Sequence, residues 1–354
     1  MKNYDVAIVG SGPSGAATAF YLAQKGVNVC IIEKETLPRY KTCGGGFVFR
    51  GRKNLPIDIS SVIEQEYYEV ETYIGNEPFS ISRKDPIITM IMRDSFDHLL
   101  VKEAQKLGID VLQNHKLIAA DGVLSQTAKF AGWTTETRNL IPALEYEVTV
   151  PEKDFDRLSK KARFDIDEAP EGYAWCFPKK NHLSLGVLTT RKKRINLKEY
   201  YKNYLVKLGI TEIIKEEQHG FQIPLSCRTD GFVKGRTFLI GDAAGFAEPI
   251  TAEGISNAIY SGKLVAEAII ESNLDLEMAT KLYSEKLHKK LIPELRSGEF
   301  LSNYFYKRNP VRNFLLKKYA NKFGEYMVDI LMGDKSFPVD VKKRLAQKIK
   351  EAVF

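Results

Sequence analysis

Cys43 stands at the head of three consecutive glycines, in the stretch RYKTCGGGF that runs from Arg39 to Phe47. A thiol with an ordinary pKa of about 8.5 is mostly protonated at neutral pH and can give up a proton. Glycine weakens any regular element it occupies, so three in a row mark a backbone built for close approach. A second group is Gly10-Ser11-Gly12-Pro13-Ser14-Gly15, with Ala19, Gly26 and Glu33 following. In this GxGxxG spacing Gly10 permits a tight turn, Gly12 admits a pyrophosphate, and Gly15 lets a helix press on a strand. Glu33 can accept both ribose hydroxyls of an adenosine. A third group is Tyr173, Trp175 and Phe177. Alternate residues of a strand share a face, so these rings form one wall, suited to a long apolar ligand.

Elements must hold these groups in place. Residues 4–10 (YDVAIVG) and 27–33 (VNVCIIE) read as buried parallel strands, with the alanine-rich 14–25 as the helix between them. That is a βαβ unit. Apolar spacing predicts a helix over 94–107, with Asp94 as its N-cap. Residues 115–120 read as a short strand running into Asp121-Gly122. Residues 143–150, 161–167, 172–178 and 182–189 read as antiparallel strands, with Lys180-Asn181 as a hairpin turn between the last two. Residues 236–241 (RTFLIG) read as a buried strand and 253–271 as a helix. Beyond 275 the chain reads as helical, broken near Pro293, Pro310 and Pro338.

The block RTFLIGDAAGFAEPITAEGISNAIYSG, residues 236–262, decides which dinucleotide is meant. It resembles the second FAD fingerprint of the glutathione-reductase-like flavoproteins. The resemblance implies that Asp242 accepts a ribityl hydroxyl and that the amides of Gly254 and Ile255 face the flavin pyrimidine oxygen. A helix N-terminus at that point stabilises negative charge on a reduced flavin. The segment ADGVLS, with Asp121 and Gly122, resembles the "DG" segment of the aromatic-hydroxylase-like branch.

The segment GYAWCFPK then resembles the YxWxFPK signature of the geranylgeranyl reductase family, carried by Tyr173, Trp175, Phe177, Pro178 and Lys179. That family also has a Cys-Gly-rich loop, matched by Cys43-Gly44-Gly45-Gly46, and an R..FD..L segment, matched by Arg93, Phe96, Asp97 and Leu99. Its final block is matched from Gly241 to Gly262, so the resemblance covers roughly residues 1–275. It implies an α/β fold: a Rossmann-like FAD-binding domain of the GR2/PHBH type, an antiparallel-sheet substrate domain and a C-terminal helical segment. The expected boundaries are 1–58, 94–140 and 228–275 for the FAD-binding domain, 59–93 and 141–227 for the substrate domain, and 276–354 for the helices.

The resemblance further implies that FAD is bound by Gly10, Gly12, Ser14, Gly15, Glu33, Lys34, Arg39, Cys43, Gly44, Gly46, Arg93, Leu117, Asp121, Gly241, Asp242, Gly254 and Ile255. Substrate is expected at Tyr173, Trp175, Phe177 and Pro178. The implied reaction is saturation of C=C bonds in polyprenyl groups by hydride transfer from reduced flavin. An unactivated alkene accepts hydride poorly, so a proton donor is needed. Cys43 is the first candidate, with Arg39 and Lys41 expected beside it; Tyr173 is the second, weakened by a phenol pKa of about 10. The substrate class is a prenyl lipid, quinone or diphosphate, and the electron donor NADPH or ferredoxin. Relatives of this branch carry a β-meander before the "ADG" strand, whereas here GIDVLQNHK runs directly into LIAADG.

Bulk properties narrow the rest. Of 354 residues, 44% are hydrophobic and 27% charged, which is ordinary for a globular chain with a substantial core. Four separated cysteines (Cys30, Cys43, Cys176, Cys227) make neither a disulfide scaffold nor a zinc site, and no metal is expected. No apolar run approaches the ~18 residues of a membrane span, and no leader is evident, so a cytoplasmic location is expected. Net charge is +7, concentrated from residue 281 onward, where 17 Lys/Arg face 8 Asp/Glu. Residues 300–333 mix aromatic and basic residues at helical spacing, so peripheral contact with the inner face of an anionic membrane is expected there. Nucleic acid is not expected as a partner. Two other readings stay open: an FAD-dependent hydroxylase or halogenase, and a membrane- or nucleic-acid-binding flavoprotein without turnover.

Overall fold

The computed structural model describes residues 2–55, 57–114, 122–191, 193–307, 310–338 and 340. In chain order the elements begin with β1 (Val6–Val9), α1 (Pro13–Ala23), β2 (Val29–Ile32), β3 (Gly46–Val48) and α2 (Phe49–Lys53). Then come β4 (Ile63–Tyr67), β5 (Glu69–Ile74), β6 (Glu77–Ser82), β7 (Ile88–Ile91), α3 (Arg93–Lys106), β8 (Asp110–Leu112) and α4 (Gln126–Phe130). The middle of the chain holds β9 (Leu140–Thr149), α5 (Glu152–Leu158), β10 (Ala162–Ile166), β11 (Gly172–Pro178), β12 (Leu183–Thr189), α6 (Leu197–Lys207) and β13 (Lys215–Pro224). The rest is β14 (Val233–Lys234), β15 (Thr237–Phe238), α7 (Gly241–Ala244), α8 (Ile255–Glu271), α9 (Leu276–Lys290), α10 (Ile292–Phe305) and α11 (Pro310–Met332).

The βαβ unit forms as its residues dictate. β1 and β2 pair in parallel from Val6↔Val29 to Val9↔Ile32, and β8 adds to β2 in parallel. A Cβ on Gly15 would lie 2.1 Å from the Gly10 carbonyl oxygen, so only glycine lets α1 start this close to the strand. A Cβ on Gly262 would lie 2.6 Å from the Ser14 carbonyl, so the crossing of α8 over α1 is equally tight. Small residues Ala16, Ala17 and Ala19 are buried in that contact. Tyr283 and Leu287 of α9 pack into the same core, which also holds Ile8, Leu22, Ile31 and Leu264. α9 therefore builds against the dinucleotide unit.

The second layer is a seven-stranded sheet, in the order β13-β9-β12-β11-β10-β5-β6. Every pairing is antiparallel except β10 with β5. The Lys180-Asn181 turn closes the β11–β12 hairpin, with the Lys179 amide donating to the His182 carbonyl at 2.8 Å. Alternation sorts the faces. Ala174, Cys176, Leu185 and Val187 pack beneath α6 with Tyr201 and Tyr204, while Tyr173, Trp175, Phe177 and Leu188 face the opposite way. Each fully buried aliphatic or aromatic side chain here contributes about 1.5–3 kcal/mol.

Three expectations change. Asp94 is not the N-cap of its helix: α3 starts at Arg93 with Met92 at the cap, and Asp94 lies in the first turn, where a carboxylate suits the helix dipole. The strand expected over 236–241 shrinks to Thr237–Phe238, paired with Val233–Lys234, because Gly241 turns the backbone to φ 53° to start α7. β13 was missed, since KEEQHGFQIP carries too many charges to read as a strand. The expected strand 115–120, with Leu117 and Asp121, lies outside the described residues. The helix breaks fall where expected: α9 ends before Pro293, α11 opens at Pro310 and ends before Pro338. Among the described residues no helix is long and apolar enough to cross a membrane.

Candidate functional site

A cavity of about 1280 Å³ separates the dinucleotide unit from the aromatic face of the large sheet. Its walls bring together most of the residues singled out above: Gly10, Gly12, Ser14, Glu33, Lys34, Arg39, Cys43, Gly44, Gly46 and Arg93 from the first hundred residues. Asp242, Gly254 and Ile255 join them from the later block, and Tyr173, Trp175 and Phe177 from the sheet. Gly15 and Gly241 shape the site from behind; a Cβ on Gly241 would lie 3.1 Å from the Ser14 hydroxyl. Pro178 does not line the cavity: it ends β11, where its carbonyl accepts the Tyr67 hydroxyl.

One end is built for a dinucleotide. Gly10 sits at φ 90° between β1 and α1, and Gly12 is open to within 3.9 Å of an Arg93 nitrogen. The Glu33 carboxylate accepts the Ser11 amide (3.0 Å), the Ser11 hydroxyl (2.5 Å) and the Glu35 amide (3.1 Å). Burial raises its pKa, but these donors and Arg39 outweigh it and hold the carboxyl below its ordinary value. Lys34 is exposed and pairs with Glu35 at 3.0 Å.

The other end fits an isoalloxazine ring. No described group donates to the Asp242 carboxylate, and burial pushes its pKa up against the pull of Lys41, Arg93 and Arg138. The amides of Gly254 and Ile255 open the 17-residue helix α8, and no described acceptor takes them. A Cβ on Gly44 would lie 3.0 Å from Trp175 Nε1, and one on Gly46 3.1 Å from the Phe177 ring. The glycine loop therefore already touches the aromatic wall. Trp175 Nε1 is buried and has no partner, an orphaned donor at the cavity edge. The donor and acceptor set fits FAD.

Around Cys43 the cations are arranged differently from expectation. Arg39 turns away, giving Nη1 to Asp97 at 3.1 Å and placing Nε 3.6 Å from Glu33, because these buried carboxylates outbid a thiol. Arg93 takes its place as the neighbouring cation: it grips Asp97 with two bonds of 2.8 and 2.9 Å, and its charge lies close enough to interact with the Cys43 thiol. The Gly45 amide donates to the same sulfur at 3.4 Å. Tyr173 gives its hydroxyl proton to the Thr251 carbonyl, and burial drives its pKa far up.

Two buried side chains had no role assigned from the sequence: Lys179, although it closes the matched YxWxFPK signature, and Glu145. Lys179, buried at the end of β11, donates to the Gly44 carbonyl at 2.6 Å and the Ile91 carbonyl at 3.1 Å. Glu145, buried on β9, accepts the Cys43 amide at 2.7 Å and the Ser184 hydroxyl at 2.8 Å. The hairpin sheet thus holds the peptide of Cys43 and Gly44 by both its ends. A signal existed for each: a lysine closing an apolar strand, and a glutamate on the inward phase of an alternating one.

Residues 5–218 match the FAD dependent oxidoreductase family. An uncharacterized protein of Methanosarcina barkeri is 30% identical over 352 residues, covering 90% of this chain and 88% of its own length. The chloroplastic geranylgeranyl diphosphate reductase of Arabidopsis thaliana is 27% identical, with 91% and 78% covered. Among solved structures, a geranylgeranyl bacteriochlorophyll reductase-like protein from Thermoplasma acidophilum superposes with a TM-score of 0.73 at 23% identity, covering 94% of this chain and 98% of that one. A flavin-dependent brominase shares the fold at a TM-score of 0.70 and 18% identity, covering 99% of both chains. The cavity that pairs a dinucleotide cradle with an aromatic sheet fits a flavin, and the chain belongs to the FAD-dependent oxidoreductase family.

Proposed function

We propose that this enzyme saturates C=C bonds of polyprenyl groups. The observation that carries the reading is the wall of Tyr173, Trp175 and Phe177, rings 6.0 and 6.2 Å apart in sequence, facing the glycine loop. Phe164 extends it and Leu188 continues the apolar surface, so an alkyl chain meets hydrocarbon rather than polar partners. Bound and reduced, FAD supplies a hydride to one alkene carbon. The chain's own residues supply the rest. Gly10, Gly12, Ser14 and Glu33 hold the nucleotide end; Asp242, Gly254 and Ile255 hold the flavin end. Cys43 carries the proton for the other alkene carbon, with the Gly45 amide fixing its sulfur. Tyr173, tied to Thr251, is the second candidate and shapes the wall. NADPH or ferredoxin would restore the flavin. The flavin unit combines 1–58, 94–140 and 228–275, and the sheet of 59–93 and 141–227 receives substrate.

Cys43→Ala tests the assignment. FAD binding, read by flavin absorbance of the purified protein, is expected to be retained. Anaerobic reduction of a prenyl substrate by the pre-reduced protein should slow 10²–10⁴-fold, the usual worth of a positioned acid. Unchanged alkene reduction would make the loop a cradle only. Mass gains of two hydrogens per double bond identify the reaction; their absence across prenyl lipids, quinones and diphosphates would remove it.

Membrane contact fits a lipid substrate. On α11, Lys318 and Lys322 are exposed, and Lys318 lies 5.6 and 5.5 Å from the Phe314 and Tyr319 rings. Replacing both lysines with Gln should weaken binding to anionic vesicles about 30-fold at low salt, at about 1 kcal/mol per charge. Identical vesicle partitioning would argue against this face.

A further inference from the structure

The amides of Gly254 and Ile255 are only as well placed as the loop that leads into them, from Glu248 to Glu253. Ala252 in that loop sits at φ 58°, a conformation that costs a non-glycine residue about 1–2 kcal/mol and persists only where its surroundings impose it. Here they hold the loop from both sides. The buried Glu248 carboxylate accepts the Ile250 amide at 2.9 Å, and the Thr251 amide and hydroxyl at 2.6 Å each. The carbonyls of the same two residues go to two tyrosines: Tyr306 donates to Ile250 and Tyr173 to Thr251. The two rings stack, with centroids 6.4 Å apart and planes 17° from parallel. Burial drives the pKa of Tyr306 far above the ordinary phenol value, so its hydroxyl stays a donor.

Tyr306 caps α10, a helix outside every sequence motif. Gly298 of the same helix meets the same loop: a Cβ there would lie 3.1 Å from Glu248 Oε1 and 3.1 Å from the Pro249 ring. Glu294, one turn earlier, accepts Arg50 at 2.6 Å, and Arg50 reaches Asn257 of α8 at 3.3 Å. Three positions along α10 thus bear on the loop and on the helix it opens.

We propose that α10 is a working part of the flavin site and that Tyr306 is a positioning residue, acting through Ile250 to hold the Gly254 and Ile255 amides where they stabilise a reduced flavin. Amides at a helix start favour negative charge, which the ring gains on reduction. The clamp therefore favours reduced over oxidised FAD. This goes beyond the polyprenyl reading and needs only bound FAD, so absence of alkene reduction would leave it standing.

The test is a spectroelectrochemical titration of FAD-loaded wild type, Tyr306→Phe and Tyr67→Phe, without substrate. Tyr67 is also buried and donates to the carbonyls of Ser159 at 3.0 Å and Pro178 at 3.4 Å, so its variant loses the same kind of bond away from the loop. Tyr306→Phe should weaken reduced relative to oxidised FAD by about 3–10-fold, the worth of one neutral hydrogen bond. At about 30 mV per tenfold for a two-electron couple, the midpoint falls by about 15–30 mV. Tyr67→Phe should keep the wild-type midpoint. Gly298→Ala reaches the loop by crowding instead of by a lost bond, and should also displace the midpoint. An unchanged or raised midpoint in Tyr306→Phe overturns the proposal, and so does an equal fall in Tyr67→Phe. Should Tyr306→Phe fail to fold or to take up FAD, a wild-type midpoint in Gly298→Ala overturns it.

Discussion

Gly45→Ala is expected to be the most damaging single-methyl change in the site. Gly45 sits at φ +68°, where a side chain costs about 1–2 kcal/mol. The added Cβ would lie 2.1 Å from the Ile91 carbonyl oxygen and 2.3 Å from Lys179 Nζ. Neither neighbour can retreat. The Ile91 amide donates to the Gly45 carbonyl at 2.9 Å, and Lys179 is buried with its ammonium on two carbonyls. Moving Lys179 leaves a buried charge without its acceptors, so the total loss should reach on the order of 3–5 kcal/mol. Urea unfolding and flavin retention read it out. Gly46→Ala is the control: its Cβ meets side chains alone, the Phe177 ring at 3.1 Å and an Ile88 methyl at 3.4 Å, and the residue has no positive φ, so a ring shift absorbs much of it. Equal midpoints for wild type and Gly45→Ala would show that the loop is not held as described.

How far the sequence speaks for the site follows from what kind of signal each residue leaves. Gly10, Gly12, Gly15 and Glu33 are legible because spacing along one βαβ unit is itself the geometry. Tyr173, Trp175 and Phe177 are legible because strand alternation guarantees a shared face. The roles of Lys179, legible only as a signature residue, and of Glu145 are illegible because they lie in contacts 135 and 102 residues away, at Gly44 and Cys43. Arg39 and Arg93 show the same limit. Closeness in sequence suggested that Arg39 serves Cys43; competition among buried carboxylates gives that place to Arg93. The triple glycine also takes on distinct roles. Gly44 and Gly46 admit the aromatic wall, and Gly45 alone needs its backbone conformation and the space beneath Lys179.

Replacing Glu145 with Gln is expected to change stability in a pH-dependent way, and the sign follows from the direction of its shift. Burial, then the nearby Glu147 carboxylate, raises Glu145 to about 7, against the opposing pull of Ser184, Lys179 and the Cys43 amide. The unfolded chain releases this proton near the ordinary 4.5, so between those values the folded protein binds more protons than the unfolded one. The group's contribution is thus fully present below pH 4.5, declines as pH rises and is lost above about 7. At 1.36 kcal/mol per pKa unit the change is roughly 3 kcal/mol. Glu145→Gln keeps an acceptor for the Cys43 amide but has nothing to titrate. Its stability relative to wild type should therefore improve by roughly 2–3 kcal/mol between pH 5 and pH 8, measured as urea midpoints in the two buffers. A pH-independent difference would mean that Glu145 ionises as freely as in the unfolded chain. The functional corollary concerns the wall. A protonated Glu145 beside Trp175 keeps the surface offered to an alkyl chain uncharged, whereas its ionisation places a carboxylate against the peptide that carries Cys43. Prenyl binding should accordingly weaken as pH rises through about 7 in wild type and stay level in Glu145→Gln.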